Sequence, residues 1–166
     1  MSANPKKDRS AGRAPGRRPL TRELLLPLGP ARARALSLEH HLALVALRTG
    51  QAGVDVITRL FNAIGAARFL HEATHGRVSP EQPHFEQAWR ALLAYANQIR
   101  EGRPAAMNEV DLKFLEQLVL LHDEQMATTP VHQLLDARQR LGRWLDQAAQ
   151  CDRPSDDPAA SIERLR

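Results

Sequence analysis

The strongest constraint on this chain is the spacing of its apolar residues, which recur at intervals of three and four in segments punctuated by Gly and Pro. Phe85, Trp89, Leu92, Ala96 and Ile99 show it most clearly. Ser79, Pro80 and Gln82 open that segment as an S-x-x-Q box, with Ser79 the expected N-cap and Pro80 the first helical residue, and Gly102 and Pro104 close it. The same period predicts four more helices. One runs from Ala31 or Ser37 to Thr49, with Leu38, Leu42 and Val45 on a stripe widened by Leu44 and Leu47, and Gly50 ending it. Another runs from Val54 to Thr74 on Ile57, Leu60, Phe61 and Ile64, and stops near Gly76. Asn108 caps a fourth, with Glu109 and Asp111 at its positive end and Phe114, Leu115, Leu118, Leu121 and His122 on its inner face. Thr129-Pro130 opens a fifth, aligned on Val131, Leu134, Leu135, Leu141 and Leu145. The link between these last two is so short that they are expected to form an antiparallel hairpin. No segment has a strand period, and aromatics are only 4%, so Leu, Ile, Val and Ala must build the core. The expected fold is all-α, a five-helix bundle.

Charge divides the 166 residues into unequal parts. Residues 1–36 hold nine Lys/Arg against Asp8 and Glu23; the remaining fourteen Lys/Arg are outnumbered by seventeen Asp/Glu. The pI near 10.0 thus describes mainly the leading segment. Pro5, Gly12, Pro15, Gly16 and Pro19 break that segment, which has too little apolar surface to order itself. Leu20 and Leu24–Leu28, interrupted by Pro27, read as an apolar strap lying on the body. The expected organisation is a flexible basic arm and strap over residues 1–30, a helical bundle over 31–150, and a disordered, frayed tail over 151–166. Lys6, Lys7, Arg9, Arg13, Arg17, Arg18 and Arg22 are the candidate nucleic-acid-binding residues, because flexible cationic arms make phosphate contacts. No aromatic is interleaved, so base stacking is not expected of the arm. Cys151, the single cysteine, allows neither an intramolecular disulfide nor a thiolate metal cage, and a cytoplasmic setting is expected. The leading segment lacks the apolar region of a secretion signal. No run approaches the roughly 20 apolar residues that cross a bilayer, so no membrane partner is expected.

One motif carries chemistry. His71-Glu72-Ala73-Thr74-His75 spells H-E-x-x-H, and residues four apart share a helix face. Two imidazoles there can grip zinc while Glu72 polarises a metal-bound water, which makes a zinc-dependent hydrolase the enzymatic alternative, with His71 and His75 as ligands and Glu72 as catalytic base. Against it stand Arg68 on the same stripe, the helix end at Gly76, the lack of a third His at the zincin spacing, and the lack of a substrate-holding strand. Glu72-x-x-His75 and Glu81-x-x-His84 also have the spacing of di-iron bundles, but both flank one loop instead of lying at mid-bundle depth. Of His40 and His41, one must point outward; His122 falls on a core stripe, and hydrogen-bonded, half-buried roles are expected for these and for His132. No nucleophile triad and no Gly-rich phosphate loop is present. The basic stretch Ala137–Arg143 lies mid-helix with no second helix after a turn, and reads as a solvated face.

Leu26-Pro27-Leu28, Ala35–Leu44, Phe69–Ala73 and Leu120–Met126, in that order and spacing, resemble a family of small uncharacterised proteins from plasmids and integrative elements of proteobacteria. Some members of that family are labelled Fis-type transcriptional regulators. The resemblance covers about residues 24–146 and implies DNA-associated regulation in a mobile genetic element. The label also implies a C-terminal helix-turn-helix, which these residues do not show. Taken together, the residues and the resemblance point to a non-enzymatic accessory protein whose partner is DNA or a DNA-bound protein. The third alternative is a helical protein–protein adaptor, dimeric through Trp89 or Trp144 if either is exposed.

Overall fold

A computed structural model describes residues 20–151. The described residues form six helices: α1 (Arg22–Leu25), α2 (Pro30–Arg48), α3 (Val54–His75), α4 (Gln82–Arg100), α5 (Glu109–Thr128) and α6 (Val131–Cys151). The fold is all-α, with one helix more than the spacing predicts. The extra one is α1, a single turn inside the strap, whose few apolar residues carry no periodic signal. Lys6, Lys7, Arg9, Arg13, Arg17, Arg18 and the tail beyond Cys151 lie outside the described residues. No described helix is long and apolar enough to cross a membrane.

Helix ends follow local chemistry. Asn108 caps α5: its side-chain oxygen accepts from the Asp111 N–H at 2.8 Å, while its amide donates to the Asp111 carboxylate at 2.7 Å. At the end of α4, Gly102 sits at φ +65°, its N–H donating to the Ile99 carbonyl and the Arg103 N–H to the Gln98 carbonyl, each at 2.9 Å. That is a Schellman closure, and its left-handed residue is the reason for Gly there. The start of α4 departs from expectation. Ser79 does not cap it; Ser79–Gln82 form a turn, and the helix begins after Glu81. The Ser79 hydroxyl is bonded to His71 instead.

The long α3 is the hub, packed against α2, α4, α5 and α6. Leu60 and Ile64 have no exposed surface, and Ala63, Ala66 and Ala67 let neighbours approach closely. Burying each Leu or Ile contributes about 1.5–3 kcal/mol. Gly65 sets the distance to α6: a Cβ there would lie 2.6 Å from Leu141 Cδ1. Two expectations are corrected. Of the expected stripe of α2, Leu38, Leu42 and Val45 are 60%, 58% and 54% exposed, while Leu44 and Leu47 are buried together with His40 and Ala43. Both stripes fit a helical period, and only one can face α3 and α5. Nor are α5 and α6 hairpin partners. The chain turns at Thr129-Pro130, yet α5 packs on α2, α3 and α4 while α6 packs on α3 and α1. Their apolar faces both seek α3, so the two helices splay.

The strap is present, in a different form. After α1 the chain extends through Leu26, and Pro27 forms an isolated antiparallel bridge with Pro130. The Val131 N–H donates to the Leu26 carbonyl at 2.9 Å, and His132 Nδ1–H donates to the Leu24 carbonyl at 2.9 Å. The first turn of α6 thereby obtains a partner for an otherwise open N–H.

Candidate functional site

The H-E-x-x-H residues end α3, and the structure does not bring Glu72 together with His71 and His75. The two imidazoles stack with centroids 4.3 Å apart. His71 is buried, and its Nε2 lies 3.0 Å from Ser79 Oγ and 3.2 Å from Glu81 Oε2, so the ring ties the end of α3 to the turn before α4. The Glu81 carboxyl is held below its ordinary range, first by its own backbone N–H and then by His71 and Ser79. Glu72 turns to another side. Its carboxylate accepts from Arg68 Nε at 2.9 Å and lies 3.5 Å from Arg140 Nη2, and its side chain is only 6% exposed. The carboxylate that a hydrolase would use as base is thus neutralised by two guanidinium groups that also pack on aromatic rings: Arg68 on Trp89 and Arg140 on Phe69. Among the described residues, no group of three or more His, Cys, Asp or Glu is placed to hold a metal ion. Trp89 and Trp144 stack on each other with centroids 4.6 Å apart; Trp89 is buried and Trp144 half-buried.

The arrangement with the most open chemistry lies elsewhere, in a cleft over α3 between α2 and α6, which His122 of α5 also reaches. It has a main cavity of about 380 Å³ and an adjoining lobe of about 180 Å³, which share Leu36, His122 and Arg138. His40 of α2 and His122 of α5 meet there with ring centroids 5.6 Å apart, 5% and 2% exposed. Burial pushes the His122 imidazole down to about 4, helped by neighbouring His40 and by Arg138; burial lowers His40 as well, against the opposing pull of Asp123 and Glu39. Both rings are neutral at pH 7. Arg59 and Asn62 of α3 and Arg138 of α6 stand at the rim, with Glu39 3.7 Å from Arg59. The adjoining lobe is mostly apolar, bounded by Leu28, Ala66, Met126 and Leu134.

The neighbouring polar groups hold this arrangement in place. His41, the other member of the His40-His41 pair, is half-buried instead of fully outward, and its Nε2–H donates to Asp123 Oδ2 at 2.9 Å. Ser37 Oγ donates to the same oxygen at 2.8 Å. These bonds fix α2 against α5 and hence His40 against His122. The sequence signals for this site are partial. His122 falls on a core stripe, and His40 shares one with Ala43, Leu44 and Leu47, but nothing local pairs them or adds Arg59 and Arg138. No protein-family model, no curated protein and no solved structure matches this chain.

Proposed function

We propose that this chain is a non-enzymatic accessory protein of a mobile genetic element that binds DNA or a DNA-bound protein. The observation that carries this reading is the division of charge: a surplus of Lys and Arg in residues 1–36 on a body with a slight acidic excess. Six of those cations, from Lys6 to Arg18, precede the described residues. The segment that follows them is fastened to α6 through Leu24 and Leu26. Arg22, exposed on α1, and Arg32 and Arg138, which line the adjoining lobe with Leu28, extend positive charge around that junction. A cationic arm rooted beside cationic side chains suits the evenly spaced phosphates of a duplex, and it contributes affinity without selecting a sequence. The placement of Glu72 on Arg68 and Arg140 weighs on the side of binding over hydrolysis.

The test compares the whole chain with a full-length variant in which Lys6, Lys7, Arg9, Arg13, Arg17 and Arg18 are all replaced by Gln. Binding to a fluorescent duplex is measured across a salt series. For every phosphate that the variant no longer neutralises, the log–log salt slope flattens by about 0.9, and affinity at low salt drops more than about tenfold overall. Identical affinity and slope in the two proteins would remove the arm from DNA binding.

A further inference from the structure

We propose that the His40–His122 cavity is a binding site for a small amphipathic hydroxy acid, its carboxylate held at the arginine rim and its apolar chain in the adjoining lobe. The site shares Arg138 with the cationic surface invoked above, but it rests on the cavity and does not require DNA to be bound.

The protonation pattern of the two rings follows from their surroundings. The Gln125 side-chain N–H donates to the Ala67 carbonyl at 3.2 Å, which turns its Oε1 toward His122 Nδ1 at 3.5 Å. Nδ1 is therefore the protonated nitrogen of His122, and its Nε2 keeps a lone pair. His40 Nδ1 is sealed from solvent with no partner. A sealed lone pair costs less than a sealed N–H, so the His40 proton sits on Nε2. Neither Nε2 has a hydrogen-bond partner among the described residues, and neither is among the sealed atoms. Both rings line the cavity, and we take it as the space into which these nitrogens open. His40 thus offers a donor and His122 an acceptor, side by side.

A carboxylate takes the His40 donor and the guanidinium of Arg138, which makes no ion pair with any described residue. Arg59 supplies a second positive charge, partly offset by Glu39. The lone pair of His122 repels a carboxylate but accepts from a hydroxyl on the next carbon. The lobe beyond, shared through Leu36, His122 and Arg138, is lined mainly by aliphatic side chains, with Arg32 and Arg138 beside them, and its apolar part suits a short hydrocarbon chain. A cavity of this size, largely apolar with a few convergent polar groups, has the make-up of a small-molecule site.

The experiment uses the full chain and two matched probes, 2-hydroxyoctanoate and 1,2-octanediol, which differ only in the charged head. Affinity is read by calorimetry, and location by the ring signals of His40 and His122 in NMR. The expected result is that the hydroxy acid shifts both ring signals and binds more than about tenfold tighter than the diol. Arg138→Gln, an exposed substitution that leaves the melting temperature unchanged, removes that difference, whereas Arg143→Gln on the same helix preserves it. Three outcomes overturn the proposal: no movement of either ring signal at millimolar hydroxy acid, equal binding of the diol, or undiminished hydroxy-acid affinity in Arg138→Gln.

Discussion

His122 shows how far burial can move a side chain from its ordinary chemistry. Folding places it in the interior, beside another imidazole and near Arg138, where a proton on the ring is unfavourable. The unfolded chain binds that proton from about pH 6.5 downward, the folded chain only near pH 4. Stability from this residue is therefore complete above about pH 6.5 and lost as pH falls toward 4, a loss on the order of 3 kcal/mol. His40 adds to it in the same direction. Urea unfolding at about pH 7 and about pH 4.5 measures the effect: between them, wild type is expected to lose about 2 kcal/mol more than His122→Gln. Equal acid losses in the two proteins would show that His122 titrates normally. Adjacent residues in a helix also part company at this scale. His71 and Glu72 lie about 100° apart around α3, so His71 reaches Ser79 before α4 while Glu72 reaches Arg140 on α6. The five-letter motif was visible in the string; the directions of its side chains depended on which helices came to lie beside it.

The elements differ in how tightly their sequence specifies their contacts. α3 must accept neighbours on several sides, and its run Ala63-Ile64-Gly65-Ala66-Ala67 is buried throughout. Gly65 faces the Leu141 side chain, whereas Gly142, one residue further along α6, has nothing within 4 Å of an added Cβ. Replacing either by Ala improves helix propensity by about 1 kcal/mol. At Gly65 the overpacking of Leu141 costs about 1–3 kcal/mol and outweighs it. Gly142→Ala is therefore expected to raise the melting temperature and Gly65→Ala to lower it or leave it level. Matched stabilisation by both substitutions would mean that α3 and α6 lie further apart than the Gly65–Leu141 approach requires. The two apolar stripes of α2 teach the complementary lesson. Leu38, Leu42 and Val45 are as apolar as Leu44 and Leu47, yet it is Leu44 and Leu47, with His40 and Ala43, that go inside. Periodicity identified the helix and not its inner face.

At the scale of the molecule, the arrangement around α3 and the docked strap work together. The cleft lies over α3 between α2 and α6, its apolar lobe reaches between α5 and α6, and the strap contributes Leu28 to that lobe. The latch consists of the Val131 and His132 bonds to the Leu26 and Leu24 carbonyls. Leu28→Asp places a charge in that apolar lobe and is expected to release the strap while the core stays folded. Hydrogen exchange measures this: the Val131 amide should exchange more than about tenfold faster, with the amides of α3 unaffected. A variant whose Val131 protection is unaltered would show that the strap adds nothing to the start of α6.

Signals that act within a turn or two of the chain were sufficient for the all-helical class, the Asn108 cap, and the glycine stops after α2, α3 and α4. These depend on hydrogen bonds and steric limits among residues no more than about five apart. The inner face of α2, the parting of α5 from α6, the redirection of Ser79 from cap to His71, and the meeting of His40 with His122 were settled only by packing. Ser37 and His41 reach Asp123 across 86 and 82 residues, and Gln125 reaches Ala67 across 58. Such contacts form because several apolar faces compete for one central helix, and the outcome of that competition is a property of the assembled bundle that no single segment contains.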